Sequence, residues 1–459
     1  MKTCDPGIEG PRVAAGTFSH GTLVATLAAA LLIVSSLAHP LQSARAGGLI
    51  PQDCDGLRSD FAPDERQWYR TDSTLVVTAD GASLYVSVEH VGILKSINNG
   101  ATWKRIVQGI AVDTLDKVTK RKCYGEYPVA IADPVNSKRV VFGMSCAGAG
   151  YLTSLMCKGG GVYETKNGGA TWGQKITNKM NAYVTHAMAI DSRNTKLMYY
   201  GTSAAPQSMS GANPNKLFVK KGLIYKSTNG GTTWVELPTG FKKYERLVSI
   251  VLDPSDSNVI TAGSVLMIPG GDNPNAVLPH DRSLIQSSDG GASWAAVGNL
   301  PSSAKGIDSM VGSPTEGDHL FLSPVYRDVT PENMHSYFSR DRALTWTQTR
   351  FMDVFEYDPS SPSGDRIVAY LWSACQGECS KTLYESLDAG ATWQTMGTLP
   401  SEIENVQNGR TRISKIVFDG SNSDVMYLAG SNAYVWKTTD RGLTWTTLLS
   451  LEKVRQQIK

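Results

Sequence analysis

The chain has 459 residues, 41% of them hydrophobic and 19% charged, with 44 glycines, 10 tryptophans and a formal net charge of +2. This is the composition of a soluble, turn-rich β protein rather than a helical one, and the length suits two or three average domains or one large propeller or barrel. The near-neutral charge gives no global argument for nucleic acid or an anionic membrane as partner.

Taken from the N-terminus, the one long apolar run, Thr22 to Ala38, follows Lys2 and Arg12 and precedes Ala44-Arg45-Ala46. A basic start, an apolar stretch and a small-x-small site predict a secretory signal peptide over residues 1–46, with an uncleaved anchor as the alternative because the run is near the lower length for a span. The expectation is a secreted or periplasmic protein with no membrane insertion after cleavage, carrying an N-terminal extension over residues 47–72. Removing the presequence leaves Cys54, Cys123, Cys146, Cys157, Cys375 and Cys379. An even number in an exported chain points to disulfides, with Cys375–Cys379 and Cys146–Cys157 as local pairs and Cys54 left for Cys123; buried free thiols are the alternative. No second ligand pair stands at finger-like spacing from Cys375 and Cys379, so no zinc site is expected.

From residue 73 onward the pattern Ser/Thr-x-Asp/Asn-x-Gly-x-x-Trp repeats seven times, running from Ser96 to Trp103, Thr165 to Trp172, Ser227 to Trp234, Ser287 to Trp294, Ser339 to Trp346, Ser386 to Trp393 and Thr438 to Trp445. In a hairpin the Asp or Asn accepts turn N–H bonds, the Gly permits positive φ and the Trp covers the turn from the next strand. These aspartates are therefore structural, and Ala343, which replaces the glycine of the fifth copy, predicts a slightly altered turn. Around each copy lie four short strands, at a repeat of about 50 to 60 residues. In the second repeat they fall at Pro128–Pro134, Val140–Gly143, Gly161–Glu164 and Thr171–Gln174. First strands end at Asp80, Asp133, Asp191, Asp253, Ser313, Asp358 and Asp419. The fold class is thus all-β: a single seven-bladed β-propeller with four-stranded blades over residues 73–450, followed by a C-terminal tail at 451–459. The last blade is contiguous, so no N-terminal strand is needed to close the ring, although Gln67-Trp68-Tyr69-Arg70 is a candidate outer strand.

The repeat resembles the Asp-box, or BNR-repeat, propellers: xyloglucanases, sortilin-type receptor ectodomains, sialidases and exported photosystem II assembly factors. The resemblance covers about Thr74 to Leu449 and is specific for fold but not for function. The sequence has no Arg-Ile-Pro of the sialidase kind and no Cys-rich appendix of the sortilin kind. Xyloglucanases usually pair two propellers around a cleft, and one propeller fits this length. The best architectural match is the single exported seven-bladed type.

The long connections fall between second and third strands or between blades, all on one face: Asp113 to Glu126, Cys146 to Gly160, Ser203 to Gly222, Met267 to Arg282, Tyr326 to Ser336 and Ser373 to Ser380. This upper face is the candidate site, since function concentrates on loops held by a rigid scaffold. Aligning first strands on their terminal Asp or Ser places Leu75, Pro128, His186, Val248, Asp308, Asp353 and Ser414 five residues earlier. Glu126, Arg246 and Arg412 stand seven residues earlier. Strand alternation then predicts a polar ring at the axial mouth. Asp308 and Asp353 are candidate catalytic carboxylates for glycoside cleavage. Glu126, His186, Arg246, Arg412 and Glu356 are candidate binding residues, Glu356 on the opposite parity. Paired charges in a wet channel mouth are the plainer reading.

Neither a metal nor a cofactor is expected, since His186, Asp308 and Asp353 with His280 or His335 lack tight ligand spacing. The basic run Lys117, Lys120, Arg121 and Lys122 allows an anionic partner, and Tyr124, Tyr151, Tyr183 and Tyr326 could stack on sugars. The resulting expectation is a monomeric recognition or assembly propeller that binds a protein or polysaccharide; the alternative is a xyloglucanase-like glycoside hydrolase.

Overall fold

A computed structural model describes residues 74–457 except 89–90, 112–113, 116–121, 124–125, 146–160, 178–184, 203–221, 242–244, 269–275, 279–282, 302–303, 305, 327–332, 372–381, 401–402, 404–412 and 432. The expected disulfide pairs, the strand at 67–70 and most of the long upper connections lie outside these residues.

Among the described residues seven antiparallel four-stranded sheets form in sequence order; the fourth gains an extra strand, Ala276–Leu278, paired with its second strand, and Thr114–Leu115 pairs with Lys122–Cys123 as a separate two-stranded ribbon. Their first strands are Leu75–Val77, Glu126–Ala132, Thr185–Ile190, Glu245–Leu252, Ile307–Gly312, Val354–Tyr357 and Ile413–Asp419. Each of these touches the first strand of the blade before and after it, and the seventh touches the first, so they close a ring around an axis. The last blade is contiguous from Ile413 to Leu449, as the sequence predicts.

Strand side chains alternate between the two faces of each blade, so both faces must be apolar to pack against neighbours. Among the described residues the core accordingly divides into seven clusters, one per junction between blades. Between blades 1 and 2, for example, Tyr85 and Ile93 meet Phe142, Tyr163 and Trp172, with Phe142 edge-on to Trp172 at 5.6 Å.

The seven repeats build one hairpin. In every copy the Ser or Thr hydroxyl donates to the Asp or Asn side chain at 2.7–3.0 Å. The same hydroxyl accepts from the backbone N–H four residues on, at 2.8–3.0 Å. The sequence expects a changed fifth turn, yet Ala343 makes this bond at 3.0 Å, and its φ of 68° is the left-handed value that glycine adopts elsewhere. The turn is conserved in shape, with Ala343 accepting the backbone strain. Hydrogen bonds from Ser293 and Thr444 hold the Asp289 and Asp440 carboxyls down to about 2, so they remain acceptors at neutral pH.

Side chains beside these turns latch each blade to the next. Lys95 donates to the carbonyl of Gly168 at 2.9 Å, Lys226 to Gly290 at 2.7 Å, Gln286 to Arg342 at 2.6 Å and Arg340 to Asp388 at 2.6 Å. Lys437 reaches Asn99 at 3.2 Å and so closes the ring from blade 7 to blade 1. Two buried arginines act similarly. Arg139 pairs with Asp133 at 2.9 Å and Glu164 at 2.6 Å and donates to Thr195 of blade 3; Arg366 pairs with Asp358 at 2.7 Å and Glu385 at 3.2 Å and donates to Ser423 of blade 7. Beyond the last repeat, Leu451–Gln457 forms a helix whose Val454 is buried in the cluster between blades 7 and 1.

Candidate functional site

First strands begin on the upper face and end in turns on the lower one, where Asp133, Asp191 and Asp253 accept two turn N–H bonds each. Five residues before that anchor the chain does something the alternation rule does not anticipate. His186, Val248, Asp308 and Ser414 are each the extra residue of a β-bulge, and blade 2 has a bulge between Glu126 and Val129, spanning Pro128. In blade 6 the equivalent Asp353 stands just before the strand, with its N–H bonded to Tyr370 at 3.1 Å. A bulge re-aims side chains and commonly borders functional sites. It also interrupts the two-residue period. Leu247 and Ser249 pair with the adjacent Ser264 and Gly263 and so face opposite sides.

Asp308, on the first strand of blade 5, is exposed, and Asp353, just before the adjoining first strand of blade 6, is partly buried; each interacts with the surrounding chain. The backbones of Glu126, His186 and Arg246 fall in the first strands of blades 2, 3 and 4. Their side chains, and Arg412 altogether, lie outside the described structure.

The corner leading to Asp353 is held from blade 5. The Ser336 hydroxyl accepts the Met352 N–H at 2.9 Å, the Ser323 hydroxyl donates to the Met352 carbonyl, and the two hydroxyls are 2.5 Å apart. Both serines are buried, so the backbone of Met352 is fixed on both its polar groups. Next to it, Phe351 meets the ring of Tyr326 edge-on at 6.0 Å, and the Tyr326 hydroxyl donates to His335 at 2.8 Å. Of the tyrosines expected near the rim, Tyr326 is the described one, and it stands in the same sector as Asp308 and Asp353.

Glu356 separates from this group. It lines an axial cavity of about 260 Å³ with Lys415 and apolar residues of blades 1, 2, 5, 6 and 7, and neither Asp308 nor Asp353 is part of that wall. Burial in the channel pushes the Glu356 carboxyl up to about 6, against the lowering influence of Lys415, and burial likewise lowers Lys415 despite Glu356. A carboxyl raised in the folded state from an ordinary 4.5 weakens folding at neutral pH and ceases to do so as pH falls through that interval. Relative to Glu356→Gln, the native protein is therefore expected to gain about 1–2 kcal/mol of stability between pH 7 and pH 4.5. Urea unfolding at the two pH values measures it; a constant difference would contradict the raised carboxyl.

The sequence reading missed Lys415. A lysine inside Ile413-Ser414-Lys415-Ile416-Val417 interrupts an apolar strand, and that was the available signal. Among the described residues no three His, Cys, Asp or Glu side chains gather as a metal site, and no helix is long and apolar enough to cross a membrane.

No protein-family model matches the sequence. The xyloglucanase Xgh74A of Acetivibrio thermocellus is 25% identical over 329 residues, which is 59% of this chain and 37% of that protein. Among solved structures, the GH74 enzyme of Niastella koreensis superposes with a TM-score of 0.58 at 16% identity, over 83% of this chain and 54% of the other. The GH74 xyloglucanase of Xanthomonas campestris gives 0.57 at 13% identity, over 83% and 55%. The chain spans about half the length of these structures and just over a third of the curated relative. In fold the chain is a seven-bladed β-propeller, an architecture similar to that of the GH74 structures it superposes on.

Proposed function

We propose that the chain is an exported recognition propeller whose upper axial mouth binds a polysaccharide. The observation that carries this is the sector formed by blades 5 and 6. Asp308 and Asp353 sit at adjoining bulged or kinked strand starts, and the half-buried ring of Tyr326 packs on the buried Phe351, two residues before Asp353. Carboxylates accept hydrogen bonds from sugar hydroxyls and the partly exposed Tyr326 ring can cover the apolar C–H surface of a sugar, so this pairing suits a glycan better than a peptide backbone. The clamp on Met352 adds preorganisation, which lowers the cost of binding.

Calorimetric titration with xyloglucan and other β-glucan oligosaccharides tests the reading. Asp308→Asn and Asp353→Asn are each expected to weaken binding about tenfold or more, the worth of a charged hydrogen bond. Affinity unchanged in both variants, or no glycan bound by the native protein, would overturn it, and capture of a protein on the same rim would replace it.

A second reading is favoured by the likeness to Xgh74A. Here Asp308 and Asp353 act as general acid and base in glycoside hydrolysis. Release of reducing ends by the native protein, abolished in either Asn variant while oligosaccharide binding survives, would decide for the enzyme.

A further inference from the structure

The fold contains opposite charges of two kinds, fully buried pairs and one half-buried pair. Where the role is to hold blades together, they close directly, as in Arg139 with Glu164 at 2.6 Å and Arg366 with Asp358 at 2.7 Å. Glu356 and Lys415 are different. They project from the first strands of adjoining blades, sense each other electrostatically, and yet do not come within the 4.0 Å of a direct ion pair. Between and around them lies the axial cavity of about 260 Å³, walled by Val77, Ile131, Pro314 and Val417. The cavity is below the usual size for a drug-sized ligand and admits a molecule of a few heavy atoms.

An acid and a base set apart on one largely apolar wall, each partly withdrawn from water, both gain from a ligand that brings the opposite charge to them. A molecule bearing one ammonium and one carboxylate joined by methylenes would meet both, with its spacer against the aliphatic wall. We propose that the axial cavity is a binding site for a small zwitterion of the ω-amino acid class, its ammonium on Glu356 and its carboxylate on Lys415. This site is separate from the rim and does not depend on what the rim binds. Because Glu356 titrates near 6, the ammonium contact weakens in mild acid.

The test is calorimetric titration of the full chain near neutral pH with glycine, β-alanine, γ-aminobutyrate and δ-aminovalerate, with acetate and ethylamine as single-charge halves. The expected result is saturable binding of at least one member of the series, about tenfold or more above either half. Glu356→Gln and Lys415→Met should each lower that affinity about tenfold or more, while Asp308→Asn leaves it unchanged. The doubly exchanged Glu356→Lys/Lys415→Glu variant, which keeps both charges, should recover binding if a single variant is poorly folded. Absence of binding by all four amino acids, equal binding of a single-charge half, or affinity indifferent to both positions would overturn the proposal.

Discussion

Replacing Arg366 with alanine is expected to lower the stability of the propeller by about 3–5 kcal/mol, the cost of leaving buried carboxylates without their counter-charge. Arg366 is almost fully enclosed, and it holds Asp358 of its own blade at 2.7 Å, Glu385 at 3.2 Å and the carbonyl of Ser423 across the junction to blade 7 at 2.7 Å. Burial raises the Asp358 carboxyl, but hydrogen bonds from Ser423, Ser360 and Arg366 outweigh it and bring the group below its ordinary range. A carboxyl lowered in this way stabilises the fold above its unfolded value and stops doing so as pH drops through the folded one, so the penalty of the variant should shrink in acid. Arg139→Ala should behave alike, since Arg139 spans Asp133, Glu164 and the Thr195 carbonyl of blade 3. Glu164 keeps Lys175 at 3.1 Å and Lys166 at 3.6 Å, and Glu385 keeps Arg441 at 2.8 Å and Gln394 at 3.1 Å, while Asp133 and Asp358 lose their arginine. Urea unfolding followed by circular dichroism measures both; an unmoved midpoint would mean that the arginines are ornaments of the junction.

Gly109→Ala is expected to cost about 2–5 kcal/mol, combining a left-handed backbone penalty with displacement of a packed neighbour. Gly109 has a φ of 91°, and a Cβ there would overlap the carbonyl oxygen of Trp172 in the next blade, a backbone atom with no rotamer to escape into. The adjoining Gln108 carbonyl accepts the Trp172 N–H at 2.8 Å, so the junction between blades 1 and 2 cannot open without breaking that bond. Gly173→Ala is the control: nothing lies within 4 Å of a Cβ at that position, and its stability should stay close to native. Equal effects of the two substitutions would refute the steric argument.

The architecture was legible because the Asp-box hairpin is local. Ser96, Asn98, Gly100 and Trp103 meet within one turn, so their spacing in the sequence is their spacing in space. The same holds for the terminal aspartates, which cap their own turns. The site was legible only in part. Alignment on those aspartates singled out Asp308 and His186 correctly as equivalent, but it treated them as members of a regular strand. The bulges depend on the pairing of Ile307 and Ser309 with Pro324 and Ser323 and of Thr185 and Ala187 with Thr202 and Gly201, relations across strands that composition does not carry. Lys415 and Glu356 share a cavity although they are distant in the chain, and the Ser323, Ser336 and Met352 clamp joins two blades. Contacts of this sort follow from ring closure, not from period.

The junction between blades 7 and 1 differs from the other six in how far apart its parts lie along the chain. The bond from Lys437 to Asn99 and that from the Trp103 indole to Leu448 join residues more than 300 positions apart, while every other junction joins consecutive repeats. Loop-closure entropy grows with the length enclosed, so this junction carries the largest chain-entropy cost of the seven. Val454 on the terminal helix, seated in the same cluster, adds apolar contact at the one junction that sequence proximity does not support.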